Sequence, residues 1–412
     1  MGYPIEQKLV NLKPDRRYPM LPATIVSIKQ AFKEIKHFCL DAWEGDYRPA
    51  ARQALKQILE TRMHNAVDEH LEQLRAQDIA DRRNGSFPRH LLTELGDLLL
   101  SIPRTRTFSP IAILRRFARR AVQVERMILL AFVLGLSTRK VSRALLPVLG
   151  EPISAQTVSR VAKQLDAAVE AYHRRPLVDE YEVLILDGVV LKRKTGAGAQ
   201  KRTVLVALGI RADGKKEIID FRQASAESQY AWEGFLNHLY QRGLKGSRLK
   251  LILIDGGKGL IAALPLVYGA IPVQRCWAHK TRNVLNHVKR ADQKVVKKAL
   301  HKISHAPTLP KAQQAARHLV EQWQPLYPKA TACLLKDLPE LLTFLTVPLA
   351  LDPTVLRTTN AIERRFREVK RRTRPMGTFS DRTSMDRILF AVFIDENLKE
   401  GVATPFSLTQ NS

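Results

Sequence analysis

Three carboxylates stand at positions where a metal-dependent reaction could use them. Asp187 ends the apolar run VLILD, and Asp255 ends a second such run, LILID. Because open α/β sheets bind ligands at the carboxyl ends of their strands, we expect both aspartates at that edge. Glu363 stands at the head of a later arginine-rich segment. Carboxylates are the hard oxygen ligands of Mg²⁺ or Mn²⁺, so Asp187, Asp255 and Glu363 predict a catalytic site with two metal ions.

Phosphodiester chemistry is the reaction that such a site supports. Two divalent ions about 4 Å apart can activate an attacking water or hydroxyl and stabilise the leaving 3′-oxygen. Each carboxylate also has an ordinary structural explanation, because aspartates after strands favour turns. Asn360, three residues before Glu363, fits a helix capping box. The two explanations of Glu363 are compatible, since a capped helix can also carry a metal ligand.

Helical geometry indicates which glutamate of the segment faces the aspartates. Glu363 and Glu368 are five residues apart, about 140° around a helix, so they cannot share one pocket. Ile362, Phe366 and Val369 recur at helical spacing and predict the packing face. Glu363 lies beside that face and can point along the sheet edge. We expect Glu368 to pair with neighbouring arginines in solvent.

The basic residues predict a nucleic-acid partner. The chain has 412 residues, with 67 Lys and Arg against 40 Asp and Glu, a net charge of +27. Such an excess is typical of proteins that neutralise DNA or RNA phosphates over a long footprint. Seven basic residues predict a phosphate-holding face: Arg364, Arg365, Arg367, Lys370, Arg371, Arg372 and Arg374. The candidate DNA contacts among the basic residues are Lys258, Arg364, Arg367, Lys370 and Arg371.

The composition disfavours other classes of protein. No run of about 18 apolar residues predicts a membrane span, and the first ten residues lack the apolar core of a signal peptide. A basic membrane-binding protein would hold its charge in one cluster, whereas this charge is spread along the chain. Three scattered cysteines, Cys39, Cys276 and Cys333, do not suit a disulfide framework. We therefore expect a cytoplasmic nucleic-acid-binding protein with no membrane partner.

A helix-turn-helix motif is predicted in the middle of the chain. Ser137 and Ser154 are good N-cap residues for two short helices. The second helix would present four side chains to a DNA groove: Gln156, Thr157, Ser159 and Arg160. An ordinary segment of a helical bundle with the same pattern is the alternative.

The order of the predicted elements indicates an α/β core. Helical spacing marks segments 25–39 and 51–74, and turn residues mark a small hairpin within 81–110. A helix is predicted at 230–242. Five segments have the composition of strands: 182–193, 202–211, 216–223, 249–255 and 270–276. Three strands, a helix, a strand, a helix and a strand is the order of a ribonuclease H-like core, with antiparallel leading strands and parallel later ones.

The predicted fold is therefore α/β with all-α regions. A ribonuclease H-like catalytic core is interrupted by an all-helical insertion and preceded by helical N-terminal and helix-turn-helix DNA-binding regions. The predicted regions are a helical N-terminal region (1–80), a small strand-containing linker region (81–120), a helix-turn-helix domain (121–175), the first part of the core (176–276), the all-helical insertion (277–355), the final core helices (356–402) and a tail (403–412).

Cys276 and His279 form half of a zinc-site motif. No second pair stands at convincing spacing, since neither Cys333 nor the nearby histidines complete one. Tetrahedral zinc needs four ligands or an open catalytic position. The pair is predicted to have a structural or DNA-organising role, with zinc as the alternative.

A set of sequence landmarks, in order and spacing, resembles one known family. The landmarks are LSTRKVSRAL with ISAQTVSR, LILDGVVLK, WEGFLNHLYQRGLKG, LILIDGGKGL, QRCWAHKTRNVL and RTTNAIERRFREVKRRTRPMGTF. Over roughly residues 80–400 the chain is similar to the Mutator-like bacterial insertion-sequence transposases, which carry an Asp-Asp-Glu (DDE) triad. The resemblance implies that Asp187, Asp255 and Glu363 are that triad. Cys276 and His279 match the family's C-x-x-H element, and an all-helical insertion before the glutamate is also implied.

One short segment departs from the family pattern. The family usually shows Asp-Ala-His-Lys-Gly after the second apolar strand, where this chain has Asp255, Gly256, Gly257, Lys258 and Gly259. The aspartate of the triad is kept, and the histidine two residues after it is replaced by glycine.

The resemblance implies a DNA transposase that binds the terminal inverted repeats of its own insertion sequence. Water would free a 3′-hydroxyl at the element end, and that hydroxyl would attack a target phosphodiester, with two Mg²⁺ or Mn²⁺ ions as cofactors. A homodimer is implied because two ends must be brought together, and the site of action would be the nucleoid in a bacterial cytoplasm. Two alternatives stay open: a metal-dependent DNA nuclease of the same fold without strand transfer, and a non-catalytic DNA-binding regulator.

Overall fold

The computed structural model describes three ranges: 47–114, 122–349 and 351–402. The helix predicted at 25–39 and the tail predicted at 403–412 lie outside these ranges. Within them, no helix combines the length and the apolar character that crossing a membrane requires. Contacts divide the described residues into two compact units, one of them 47–89 with 100–113, the other 90–99 with the described residues from 114 onward.

A long helix and a hairpin begin the described chain. Strands β1 (Arg83–Thr93) and β2 (Gly96–Thr105) form a two-stranded sheet. Helix α1 (Tyr47–Ala76) buries three apolar side chains at four-residue spacing: Met63, Val67 and Leu71. Residues four apart lie on one face of a helix, so this spacing is what made the helix predictable. The predicted helix and the predicted hairpin are both confirmed.

Four helices lie within the described residues 122–174. They are α2 (Val122–Val133), α3 (Thr138–Leu149), α4 (Ala155–Ala162) and α5 (Leu165–Arg174). The Ser137 hydroxyl accepts a hydrogen bond from the Lys140 amide, and the Ser154 hydroxyl accepts one from the Thr157 amide at 3.1 Å. Both predicted caps are confirmed, since each serine satisfies an amide that has no partner within its helix.

Five strands form a mixed sheet in the order β5-β4-β3-β6-β7. They are β3 (Tyr181–Thr195), β4 (Gly198–Arg211), β5 (Lys216–Ala224), β6 (Leu251–Ile254) and β7 (Val273–Arg275). Strands β3, β4 and β5 pair antiparallel, whereas β6 runs parallel to β3 and β7 runs parallel to β6. Each predicted strand has an observed counterpart, and the protein is a mixed α/β structure.

Both faces of the sheet are buried. Successive side chains of a strand point to opposite faces. Leu184 of β3 therefore packs in one core with Trp232 of α6 (Gln229–Gln241). Ile185, the next residue, packs in a second core that also contains Tyr172 of α5. This double burial explains why the strand reads as a continuous apolar run up to its aspartate.

A series of helices follows β7. They are α8 (Trp277–Leu285), α9 (Gln293–Ser304), α10 (Leu309–Trp323), α11 (Pro328–Lys336), α12 (Leu338–Leu341) and α13 (Pro353–Leu356). No strand occurs in the described residues 277–349 and 351–359. These helices lie between the last strand and the helix that carries Glu363.

Two helices close the described chain. Helix α14 (Asn360–Thr373) carries Glu363, and α15 (Arg382–Lys399) packs against β5 and α5. The packing face predicted for α14 is confirmed by three buried side chains: Ile362, Phe366 and Val369.

Two of the seven residues predicted to form a phosphate-holding face are buried instead. Arg365 is 5% exposed and donates to Glu400 at 2.5 Å. Arg372 is 3% exposed and donates to Asp395 at 2.5 Å and to the Val133 carbonyl at 3.0 Å. Residues seven apart share a helix face, and both arginines lie on the buried side of α14. Each buried guanidinium has a carboxylate partner, as burial of a charge requires.

Candidate active site

The three predicted carboxylates line one cavity of about 520 Å³. Side chains from β3, from the turn after β6, from α8 and from α14 meet there. The lining residues are Asp187, Gly188, Asp255, His279, Arg282, Asn360, Glu363, Arg364, Phe366, Arg367 and Lys370. The fold thus brings together residues that lie up to 183 positions apart in the chain.

Asp187 lies inside a strand rather than at its end. Strand β3 continues to Thr195 alongside β4, in line with the predicted strand 182–193, so the expectation that Asp187 lies at the carboxyl end of a strand is wrong. The parallel pairing of β3 with β6 ends just before Asp187, and its last partners are Leu186 and Ile254. Because β6 stops at Ile254, β3 has no β6 partner from Asp187 onward, and the next pairing on that side is the bridge between Arg193 and Phe379.

Asp187 is buried beside a second carboxylate. Asp187 is 8% exposed, and its Oδ1 accepts a hydrogen bond from the Gly188 amide at 2.7 Å. Burial, together with the nearby Asp255 carboxylate, raises the pKa of Asp187 to about 7. Both effects disfavour the charged form, and a bound cation would favour it.

Asp255 follows β6 directly, as predicted. Its Oδ1 accepts a hydrogen bond from the Gly257 amide at 2.9 Å. Gly256 between them has a φ of 99°, a backbone conformation that favours glycine because it has no Cβ. The turn formed by these residues leads into α7 (Lys258–Tyr268) and holds the Asp255 carboxylate at the end of its strand.

Glu363 lies in the first turn of α14, but the predicted capping box is wrong. The N-cap residue is Thr359, so Asn360 is already helical, and its side chain lines the cavity. Glu363 Oε1 accepts a hydrogen bond from the Thr359 hydroxyl at 3.2 Å. Glu368 lies outside the cavity lining and pairs with Arg371 at 2.9 Å, which confirms its predicted solvent-side pairing.

Cys276 and His279 lie against the Glu363 side of the cavity. Burial raises the pKa of the Cys276 thiol, but hydrogen bonding with His279 and Thr359 outweighs it, so the pKa is lowered overall. The pKa of His279 is raised to about 9, mainly by Cys276 and less by the Glu363 carboxylate. Glu363 Oε1 lies 3.8 Å from His279 Nδ1. No described residue makes a hydrogen bond of normal geometry with His279 Nδ1. The raised pKa favours the protonated, cationic form of His279 in this cavity.

A fourth carboxylate, which the sequence did not single out, lies beside the site. Glu227 stands in the polar turn between β5 and α6, where no pattern distinguishes it. Glu227 Oε1 lies close to Gly188, which follows Asp187, and to Gly257, which lies in the turn after Asp255. A Cβ placed on Gly188 would be 3.2 Å from this oxygen, and a Cβ placed on Gly257 would be 3.6 Å from it. Burial and the Asp255 charge raise the pKa of Glu227. Its Oε1 is buried and has no hydrogen-bond partner among the described residues.

Only some of the predicted basic DNA contacts line the cavity. Arg371 is paired with Glu368 and does not line it, and neither does Lys258, the exposed first residue of α7. Arg282 of α8 lines the cavity, although the sequence did not mark it. Three predicted contacts are exposed and line the cavity: Arg364, Arg367 and Lys370.

The predicted recognition helix is α4. Gln156 and Arg160 are exposed on it, whereas Thr157 and Ser159 are half-buried. The Thr157 hydroxyl accepts a hydrogen bond from the Ser154 hydroxyl at 3.1 Å, so part of its bonding capacity serves the helix cap. Gln156 and Arg160 are thus the two long side chains of this set that face solvent. None of the four residues lines the carboxylate cavity.

Comparison with known proteins identifies the family. The family model for Transposase, Mutator family, matches residues 26–401. The transposase for insertion sequence element IS905 of Lactococcus lactis subsp. lactis (strain IL1403) is 33% identical over 320 residues, 77% of this chain and 80% of that protein. The transposase for insertion sequence element ISRM5 of Rhizobium meliloti (strain 1021) is 30% identical over 372 residues, 89% of this chain and 91% of that protein.

Among solved structures, similarity is weak. One match is a chain of the cryoEM structure of the simian T-cell lymphotropic virus intasome in complex with PP2A regulatory subunit B56 gamma. The match covers 44% of this chain and 69% of that one, at 12% identity, and its TM-score of 0.18 is too low to assign a fold. The family model spans most of the sequence, and both transposases match over more than three quarters of it. The chain belongs to the Mutator family of transposases.

Proposed function

We propose that this chain is a DNA transposase that binds the terminal inverted repeats of its insertion sequence, cleaves DNA there and joins the ends to target DNA. The observation that carries the proposal is the single cavity in which Asp187, Asp255 and Glu363 lie beside exposed cationic side chains. Carboxylates next to cations suit a phosphodiester substrate, because the cations bind the backbone that the carboxylates alone would repel. Two ends must be held at once, so the proposed assembly on DNA is a homodimer.

The core is proposed to be ribonuclease H-like. Its support is the strand order β5-β4-β3-β6-β7, with three antiparallel strands followed by two parallel ones. Helices α8 to α13 then form an all-helical insertion between β7 and α14. Helices α3 and α4 form the proposed helix-turn-helix, each beginning at a serine cap.

The cavity residues fit two Mg²⁺ or Mn²⁺ ions. Asp187, Asp255 and Glu363 would hold them, and their oxygen atoms are the ligand type that these ions prefer. Burial of Asp187 next to Asp255 concentrates negative charge that a cation would neutralise. In the described ranges no three His, Cys, Asp or Glu side chains lie close enough to hold a metal ion between them, so ion binding would have to draw these carboxylates together. When bound, such ions stabilise charge on the attacking and leaving oxygens.

The protein's own side chains would bind and orient the DNA. Arg364, Arg367 and Lys370 are exposed around the cavity, and their proposed role is to contact phosphates next to the scissile one. His279 adds a cation within the cavity. In the proposed reaction, water displaces the 3′-oxygen at the element end, and the freed 3′-hydroxyl then displaces a 3′-oxygen of target DNA. One cavity can serve both steps, since each forms one P–O bond and breaks another.

A joining assay tests this function. The protein with Mg²⁺ and pre-cut end DNA should join the 3′ ends to a supercoiled plasmid. The matched control is the same end DNA with a 3′-deoxy terminus, which has no nucleophile and should not be joined. Cleavage of uncut ends without any joining would indicate the nuclease. Specific end binding with neither activity would indicate the non-catalytic regulator.

Replacing Gln156 or Arg160 with Ala should weaken binding to the inverted repeat by about tenfold or more. A good side-chain contact to a base edge contributes about 1–3 kcal/mol of discrimination, and both side chains are exposed on α4. Fluorescence anisotropy with end DNA and scrambled DNA at one salt concentration measures the effect.

The control for this prediction is Lys163→Ala, which removes a nearby exposed cation and should weaken both DNAs alike. If the Gln156 and Arg160 variants discriminate end DNA from scrambled DNA as well as the wild type does, α4 is not the recognition helix.

A further inference from the structure

Cys276 connects the elements that carry two of the cavity's carboxylates. Its amide donates to the carbonyl of Ile254 at 2.8 Å, and Ile254 immediately precedes Asp255. Its sulfur accepts hydrogen bonds from the Thr359 amide and hydroxyl, both at 3.3 Å. One residue therefore contacts the end of β6 through its backbone and the start of α14 through its side chain. The C-x-x-H element begins at this junction.

Thr359 extends the connection to Glu363. The Thr359 hydroxyl oxygen lies 3.2 Å from Glu363 Oε1 as well as 3.3 Å from the Cys276 sulfur. A hydroxyl has one hydrogen to donate and can accept in return. When that hydrogen points to the carboxylate, the Cys276 thiol can donate to the hydroxyl oxygen while its sulfur keeps the Thr359 amide bond. The three side chains then form one continuous hydrogen-bonded chain.

This hydrogen-bonded series of side chains is buried at Cys276 and reaches the cavity at Glu363. Cys276 is 1% exposed and Thr359 is 0% exposed, whereas Glu363 lines the cavity. Buried polar groups keep a fixed geometry because losing a partner inside a protein is costly. Arg357, two residues before Thr359, adds a second contact, since its carbonyl accepts from the Trp277 amide at 2.9 Å. Two successive residues at the start of α8, Cys276 and Trp277, thus bind the segment that leads into α14.

We propose that Cys276 and Thr359 are positioning residues that orient the Glu363 carboxylate toward the cavity. The proposal rests on the proposed function, because it gives Glu363 the role of metal ligand. A thiol that merely fills the core would not need a hydroxyl partner that also contacts a cavity carboxylate. Groups that hydrogen-bond a metal ligand from behind set its orientation, and their loss typically weakens metal binding by about 10–100-fold.

Mn²⁺ binding to the full-length protein, measured by electron paramagnetic resonance without DNA, tests the proposal. Thr359→Val keeps the side-chain shape but removes the hydroxyl, and it should weaken Mn²⁺ binding by about tenfold. Thr359→Ser restores a hydroxyl and should bind Mn²⁺ like the wild type. Thr331→Val is the matched control, because Thr331 is an equally buried threonine of α11 outside the cavity lining. It should leave Mn²⁺ affinity unchanged.

A double-substitution cycle with Glu363→Gln separates positioning from general destabilisation. If Thr359 acts through Glu363, Thr359→Val should cause no further loss of Mn²⁺ affinity in the Glu363→Gln background. Additive losses, or equal affinities for Thr359→Val and the wild type, would overturn the proposal. Should Thr359→Val not fold, Cys276→Ala in the same cycle takes its place with the same expected non-additivity.

The same measurement distinguishes failure of the metal site from failure of the positioning role. If Glu363→Gln alone leaves Mn²⁺ binding intact, Glu363 is not a metal ligand, and the metal site of the proposed function and the positioning role are both wrong. If Glu363→Gln weakens binding but the Thr359 and Cys276 variants do not, the metal site stands and only the positioning role is wrong.

Discussion

Asp187→Asn, Asp255→Asn and Glu363→Gln should each lower DNA cleavage and joining by about 1,000-fold or more while sparing DNA affinity. Each amide keeps the shape of the side chain but removes the charge that would hold a metal ion. Loss of about 4 kcal/mol of transition-state stabilisation corresponds to this decrease in rate. DNA affinity should persist because exposed cations around the cavity supply it. Single-turnover cleavage of labelled end DNA measures the first effect, and gel shift measures the second.

Glu368→Gln is the matched control for these substitutions. Glu368 is on the same helix as Glu363 but outside the cavity lining, where it pairs with Arg371. Its substitution should retain wild-type cleavage. Intact cleavage in all three carboxylate variants would instead show that these residues serve only turns and helix ends, and the non-catalytic regulator would then be favoured.

Without divalent metal, the free energy of unfolding of the wild type should fall as the pH rises from about 4 to about 7. This fall should exceed that of Asp187→Asn by up to ~4 kcal/mol. Burial and the Asp255 charge raise the pKa of Asp187 from 3.8 to about 7. The folded state therefore holds the proton more tightly than the unfolded chain. The contribution to stability is complete below the unfolded pKa and is lost as the pH rises through the folded pKa. The asparagine variant has no proton to lose at this position.

Urea unfolding in a chelating buffer at several pH values measures this difference. The two proteins should agree near pH 4 and diverge as the pH rises, with Asp187→Asn the more stable near neutral pH. Adding Mn²⁺ at neutral pH should recover wild-type stability, by about 2.7 kcal/mol at a hundredfold excess over its dissociation constant, and should do less for the variant. Parallel pH curves for the two proteins would contradict the burial of an ionisable carboxyl beside Asp255.

Local patterns in the sequence predicted the elements well. Ser137 and Ser154 cap their helices as expected, because a cap depends on residues three positions away. The strands of the main sheet were recognisable because apolar runs mark strands buried on both faces. The capping box at Asn360 failed by one residue, since Thr359 ends the preceding turn and takes the N-cap position. Helix ends depend on contacts with neighbouring chain as well as on local residue types.

The sequence by itself determined the charge of the protein, the order of its strands and helices, and three carboxylates at suitable positions for a metal site. These features follow from composition and from the periods of strands and helices, which are local. Only the tertiary structure decided which side chains meet: that Arg365 and Arg372 are buried rather than exposed, and that Glu227 lies beside the aspartates. Cys276 and Thr359 are 83 positions apart, and no local period links them. Their contact exists because the end of β6, the start of α8 and the start of α14 meet through hydrogen bonds, which is a property of the folded chain.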